Sequence, residues 1–249
     1  QYASYNEANE SILSFTGTDN TVSLKFVNLA FKNAGKYGVF THKTFKVSAV
    51  DCTFNGNGWD GTQLNTVLSK TLTGLIGFDS PQAEIAALYA SSSASNGGAM
   101  RIEQSPHLLI IGNTISKNLR GIRLEDCGIN GGGVISRNQV TQNLESGIYL
   151  GVGVFYGCQN IITMMNVSSY NANNGLLAIG GLNNKFSQNE VNGNWNGGMY
   201  NWASANLTLR DCSLYDNNRS EFNGIGNVGD AQSSIGLADA YNILGTTIT

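Results

Sequence analysis

Apolar residues recur along the chain in short runs separated by polar turns that centre on asparagine. One unit reads Ile111-Gly112-Asn113-Thr114-Ile115-Ser116-Lys117-Asn118 and leads into Gly121-Ile122-Arg123-Leu124. The next reads Ile135-Ser136-Arg137-Asn138-Gln139-Val140-Thr141-Gln142-Asn143 and leads into Gly147-Ile148-Tyr149-Leu150. Apolar runs of about four to six residues suit strands and are too short for stable helices. Aligned on the second asparagine, the unit repeats at Asn33, Asn57, Asn96, Asn118, Asn143, Asn171, Asn194 and Asn217. Five residues upstream stand Asn28, Cys52, Ser91, Asn113, Asn138, Asn166, Asn189 and Cys212, a column of small side chains suited to inward stacking. A glycine follows each turn (Gly38, Gly61, Gly121, Gly147, Gly175, Gly198, Gly224), with Ala99 in its place once.

Two strands and an asparagine turn per repeat predict an all-β fold, a right-handed parallel β-helix of about eight to nine coils. Asparagine tolerates the left-handed backbone of a sharp corner, and stacked asparagines bond one another up the column. A leucine-rich repeat has a similar period, but it needs helical segments, and its leucines would not give way to Ile, Val, Met and Phe. Coils stacked about 4.8 Å apart would build a rod about 40 Å long.

Two segments interrupt the period. Residues 62–95 form an insert with the strongest helix signal of the chain, Ser80-Pro81 as cap and first turn before Glu84-Ile85-Ala86-Ala87-Leu88-Tyr89-Ala90. It is expected to lie against the face carrying Arg101 and Arg123, or else to cap the open core. A smaller excursion covers 151–159. Loops of this kind emerge on one side of a solenoid and shape its binding surface. Residues 1–21 are expected to form an N-terminal lead-in or cap, and 22–249 the β-helix. The closing Ile243-Leu244-Gly245-Thr246-Thr247-Ile248-Thr249 matches the first strand of a coil, so the chain is expected to be part of a longer polypeptide or to meet a partner.

Composition narrows the function classes. Charged residues are 12% of the chain, about half the usual share, so coils can bury an inner face. Thirty-two asparagines serve the turns. With 14 basic residues scattered singly and a net charge of −3, there is no nucleic-acid footprint. No apolar run approaches the 18 or so residues of a membrane span, so no membrane partner is expected. Two histidines and four cysteines without a C-x-x-C pair argue against a zinc site, and neither metal nor cofactor is expected. Cys127 and Cys158 fall in successive coils and are candidates for a bridge.

The I-x-x-N-x-I-x-x-N repeat followed by G-I-x-L resembles the right-handed β-helices of the pectate-lyase-like superfamily, and in character the phage tailspikes among them. The resemblance implies a polysaccharide partner, a parallel homotrimer, and a place outside the cell or on a virion surface. The enzyme signatures of that superfamily are missing. There is no Asp-Pro-His-Glu as in alginate epimerases, no Asp-Asp with Gly-His-Gly as in polygalacturonases, and no Arg-x-Pro-x-x-Arg as in calcium-dependent pectate lyases.

Strand alternation supplies the candidate site. If the residue after each turn glycine points inward, the residues two and four beyond the glycine point out. One outer column then reads Phe40, Gln63, Arg101, Arg123, Tyr149, Leu177, Tyr200, and the other His42, Asn65, Glu103, Glu125, Gly151, Ile179, Trp202. Glu103 and Glu125, one rung apart, are a candidate acid and base for a glycoside hydrolase, with Asp126 as the alternative acid. Arg101 and Arg123 would hold an acidic sugar. The same four residues also read as a surface ion-pair ladder. Tyr149, Tyr200 and Trp202 are candidate sugar platforms or contacts between subunits. His42 and His107 read as turn or surface histidines. The functional expectation is a polysaccharide-binding tailspike-like module, polysaccharide-degrading if Glu103 and Glu125 act as a pair; the alternatives are a carbohydrate-active lyase or epimerase and a non-catalytic spacer.

Overall fold

The structure, a computed structural model, describes residues 10–58, 97–154, 156–194, 197–202, 204, 206–215, 228–231 and 235–237. The described strands wind in triplets. The first three triplets are β1 (Leu13–Thr16), β2 (Ser23–Val27) and β3 (Ala30–Lys32); β4 (Tyr37–His42), β5 (Lys46–Val50) and β6 (Thr53–Asn55); and β7 (Gly98–Glu103), β8 (His107–Ile111) and β9 (Thr114–Ser116). Then come β10 (Ile122–Glu125), β11 (Gly132–Ser136) and β12 (Gln139–Thr141), followed by β13 (Ile148–Gly151), β14 (Ile161–Met164) and β15 (Val167–Ser169). The series closes with β16 (Asn174–Ile179), β17 (Lys185–Ser187) and β18 (Glu190–Asn192); β19 (Gly197–Trp202), β20 (Leu207–Arg210) and β21 (Ser213–Tyr215); and the pair β22 (Val228–Ala231) and β23 (Ile235–Leu237). Each strand pairs in parallel with its counterpart one triplet on, which gives three sheets around one core. This is the right-handed parallel β-solenoid that the repeat predicts. The described stack holds seven complete triplets and two strands of an eighth, short of the eight to nine full coils expected. The expected helix of the 62–95 insert, that insert's position and the closing strand 243–249 lie outside the described residues.

One missing rung has an identifiable cause. Tyr37–His42 pairs directly with Gly98–Glu103, so Phe40 lies beside Arg101 and His42 beside Glu103. No rung intervenes between these two strands; Ser91, Asn96, Gly61, Gln63 and Asn65, expected to supply one, lie outside the described residues. Asn57 stacks straight onto Asn118, its backbone N–H and its Nδ2 both donating to Asn118 Oδ1 at 3.0 and 2.8 Å. The chain is rich enough in asparagine to place a false repeat inside its own insert.

Two asparagine ladders hold two of the corners. In one, Asn113, Asn138, Asn166 and Asn189 follow in order, each Oδ1 accepting from the backbone N–H and the Nδ2 of the asparagine before it. The second ladder runs through Asn57, Asn118, Asn143, Asn171 and Asn194 by the same pattern. The ladder residue is not the left-handed one. That strain falls on the residue before it: Arg137, Met165 and Gln188 in one column (φ 56, 54 and 53), Lys117, Gln142 and Tyr170 in the other (φ 56, 56 and 55). The shift corrects the first coil, where Asn28 and Asn33 are the left-handed residues (φ 53 and 58) and not ladder members. Ala34 holds the ladder slot there, its N–H donating to Asn57 Oδ1.

Inside, alternate residues interlock rung upon rung. Met100, Ile122, Ile148, Leu176 and Met199 form one buried column, and Phe54, Ile115 and Val140 another. Each such side chain contributes about 1.5–3 kcal/mol by leaving water. At the corner between the first and second sheets Cys127 and Cys158 are buried and their thiols are free, so the bridge considered for them is not formed. Burial pushes the Cys127 thiol well above its ordinary value, and its Sγ lies within donor reach of the carbonyl oxygens of Ile102 (3.3 Å) and Glu125 (3.4 Å).

Candidate functional site

The outer face of the first sheet carries the two expected columns in register. Arg101 lies beside Arg123, Arg123 beside Tyr149, Tyr149 beside Leu177 and Leu177 beside Tyr200. Glu103 lies beside Glu125, Glu125 beside Gly151, and Ile179 beside Trp202. In-register parallel pairing fixes this without help from the side chains, because every strand repeats the same inward and outward alternation.

Side chains then link the rungs into one chain of contacts. His42 Nδ1 is 2.9 Å from Glu103 Oε2. Arg101 Nη2 donates to Glu103 Oε1 at 2.6 Å and to Glu125 Oε2 at 2.7 Å. Arg123 meets Glu125 Oε1 through Nη2 and Nε, both at 2.6 Å, and its guanidinium lies 4.9 Å from the centre of the Tyr149 ring. Gly151 makes room for that ring, since a Cβ there would collide with it. The link between His42 and Glu103 was hidden in the sequence, because the insert conceals that their strands are neighbours.

The electrostatics of Glu125 follow from this crowding. Burial alone would raise its pKa; Arg123 and Arg101 more than offset that, and the carboxyl is held below its ordinary range. Glu125 is therefore a carboxylate at neutral pH and has no proton to donate as a general acid. The two carboxylates share one guanidinium nitrogen, so Arg101 occupies the gap that an acid–base pair would leave for a glycosidic bond. Two arginines face two glutamates, and the network is balanced in charge without an acidic ligand. Burial pushes the Tyr149 hydroxyl above the usual range, which keeps it a neutral hydrogen-bond donor.

The excursion after β13 forms a wall of this site. A cleft of about 280 Å³ lies between Arg101, Glu103 and Glu125 on one side and Val152, Gly153 and Val154 on the other. Asp126 anchors the wall: its carboxylate accepts the backbone N–H groups of Gly153 (3.1 Å), Val154 (2.6 Å) and Gly157 (2.8 Å). Asp126 itself is turned left-handed (φ 51) and is 2% exposed, so it is a loop anchor more than an alternative acid. Its role left no sequence signal, since its partners are main-chain groups of a distant loop.

Tyr200 and Trp202 stand apart from the charged cluster. Trp202 is three rungs beyond Glu125 on the same face and half exposed, while Leu177 between them is nearly buried. His107 is turned instead toward the second sheet, its ring edge-on to Phe45 at 4.8 Å. Asp51 and Asp211 are left-handed turn residues (φ 52 and 50). Among the described residues, no three or more His, Cys, Asp or Glu side chains converge as a metal site. Set against known family models, curated proteins and solved structures, the chain matches none of them.

Proposed function

We propose that this β-solenoid binds a polysaccharide on the outer face of its first sheet, with the cleft at Arg101, Glu103 and Glu125, and Arg123 paired to Glu125 beside it, as the centre of the site. One observation carries the reading: donors and acceptors are held rigid by each other on adjacent rungs, beside the Tyr149 ring and a tethered loop wall. A balanced set of guanidinium donors and carboxylate acceptors suits the paired hydroxyls of a sugar ring, and an aromatic face suits its C–H side. In this reading Glu103 and Glu125 accept hydroxyl hydrogen bonds and do not act as an acid–base pair. The wider proposal is a tailspike-like receptor-binding module of pectate-lyase-like type, trimeric and placed on a virion or cell surface.

The test is a glycan array probed with the intact chain, followed by a reducing-end assay on the glycans retained. Binding without new reducing ends is the expected result. New reducing ends would replace the binding module by a hydrolase or lyase, and an array without signal would leave the spacer reading.

A further inference from the structure

A second pocket adjoins the charged cleft around the corner between the first and second sheets. It encloses about 460 Å³ and shares two wall residues with the cleft, Gln104 and Asp126. Its remaining lining is aromatic and apolar, chiefly Phe45, Pro106, His107, Ile129 and Tyr156. Phe45 is 43% exposed and Tyr156 72%. These are large apolar surfaces left in water beside amide groups of Asn20, Asn130 and Gln104. The tethered loop borders both spaces, with Val152–Val154 on the cleft and Tyr156 on the pocket, and Asp126 fixes it from below.

We propose that the two spaces are consecutive subsites for one uncharged oligosaccharide, which turns the corner of the solenoid instead of following its axis. One sugar lies in the cleft, hydrogen-bonded to the arginine–glutamate network. The next places its C–H face against Phe45 and Tyr156. Continuity favours this path: the pockets share walls, whereas Trp202 is four rungs from Glu103, about 19 Å along the axis. Arg101 and Arg123 are already paired with Glu103 and Glu125, Asp126 adds a carboxylate to both linings, and the neighbouring pocket is lined by no lysine or arginine, which disfavours an acidic sugar and sets the class as uncharged and hydroxyl-rich.

The proposal rests on the polysaccharide-binding reading, and the experiment separates their failures. The intact chain is titrated calorimetrically with cellohexaose, chitohexaose, mannohexaose, xylohexaose and, as the charged control, hexaguluronate. The variants Phe45→Ala, Tyr156→Ala and Trp202→Ala follow; all three side chains are exposed, and unchanged thermal unfolding confirms their folds. For an uncharged hexasaccharide that binds, Phe45→Ala and Tyr156→Ala should each weaken affinity about tenfold, the loss of roughly 1.4 kcal/mol of contact. Trp202→Ala should leave it unchanged. Loss at Trp202, alone or with the others, overturns the corner path and leaves binding on the sheet face intact. Binding of hexaguluronate alone overturns the uncharged class, and a panel without any binding overturns both proposals.

Discussion

At the scale of single residues, the side chains that fix this fold are asparagines whose only work is hydrogen bonding. Asn138 Oδ1 satisfies both the N–H and the Nδ2 of Asn113, and its own Nδ2 reaches Ile110 O and Asn166 Oδ1. Leucine there fills similar volume and strands buried donors on one side and an acceptor on the other. Asn138→Leu is expected to lower the unfolding free energy by about 3 kcal/mol, from two or so unsatisfied groups at roughly 1–3 kcal/mol each; urea denaturation measures it. Glu125 sets a pH dependence of known sign. Its folded pKa lies below the ordinary 4.5, so its contribution is full above that value and is lost as pH falls through the folded one. The wild type should therefore lose stability below about pH 4.5 more steeply than Glu125→Gln, as acid titration of the unfolding midpoint would show. Much of this scale was legible: the Asn113 and Asn118 columns and the pairing of Glu103 with Glu125 follow from spacing alone. The left-handed residue was misplaced by one, because asparagine's tolerance of that backbone made it the obvious bearer. Arg137, Met165 and Gln188 carry the strain instead, and only the ladder bonds beside them explain how such side chains are kept there.

At the scale of elements, strands announce themselves and loops do not. Alternation exposes Arg123 and buries Ile122 and Leu124 without reference to anything outside their strand. The wall after β13 depends on Asp126, whose partners are backbone amides 27 to 31 residues away and so invisible to residue-type patterns. The pocket at Phe45 and His107 was missed for the same reason, since it lies at a corner where strand alternation no longer orders side chains. Three charge-assisted bonds to one carboxylate hold the loop more firmly than its own sequence would. Asp126→Ala should free it while the coils stay paired. Hydrogen exchange is expected to accelerate at least tenfold at the amides of Gly153, Val154 and Gly157, with Ile148 and Leu150 in the adjacent strand unchanged. Equal acceleration in that strand would mean that the loop and the coil open together, and that Asp126 supports the sheet as well as the wall.

At the scale of the whole molecule, a solenoid is a stack in which each coil meets only its neighbours, so an insert is tolerated where its two ends meet. Gly58 and Gly97 meet this condition closely: a Cβ built on Gly97 would lie 2.6 Å from Gly58 Cα, and one built on Gly58 would lie 2.7 Å from Gly98 N. That proximity is comparable to the ~3.8 Å between consecutive Cα atoms in a chain. Around the junction the coil is already complete. Gly58 N–H donates to Ala34 O, Gly98 N–H to Lys36 O and Leu119 N–H to Asn57 O, while the ladder passes from Asn57 to Asn118 without a break. The stacking of the described residues is therefore continuous without residues 59–96, and joining Gly58 to Gly97 also removes the entropy cost of closing a loop of that length. We expect the deletion to preserve the β-sheet circular dichroism and a cooperative urea transition, with a midpoint no lower than that of the full chain. A molten or insoluble product would show that the insert supplies packing which the coils lack. Glycan titration of the same variant then locates recognition: retained affinity assigns it to the coils and the 151–157 wall, and lost affinity with an intact fold assigns it to the insert.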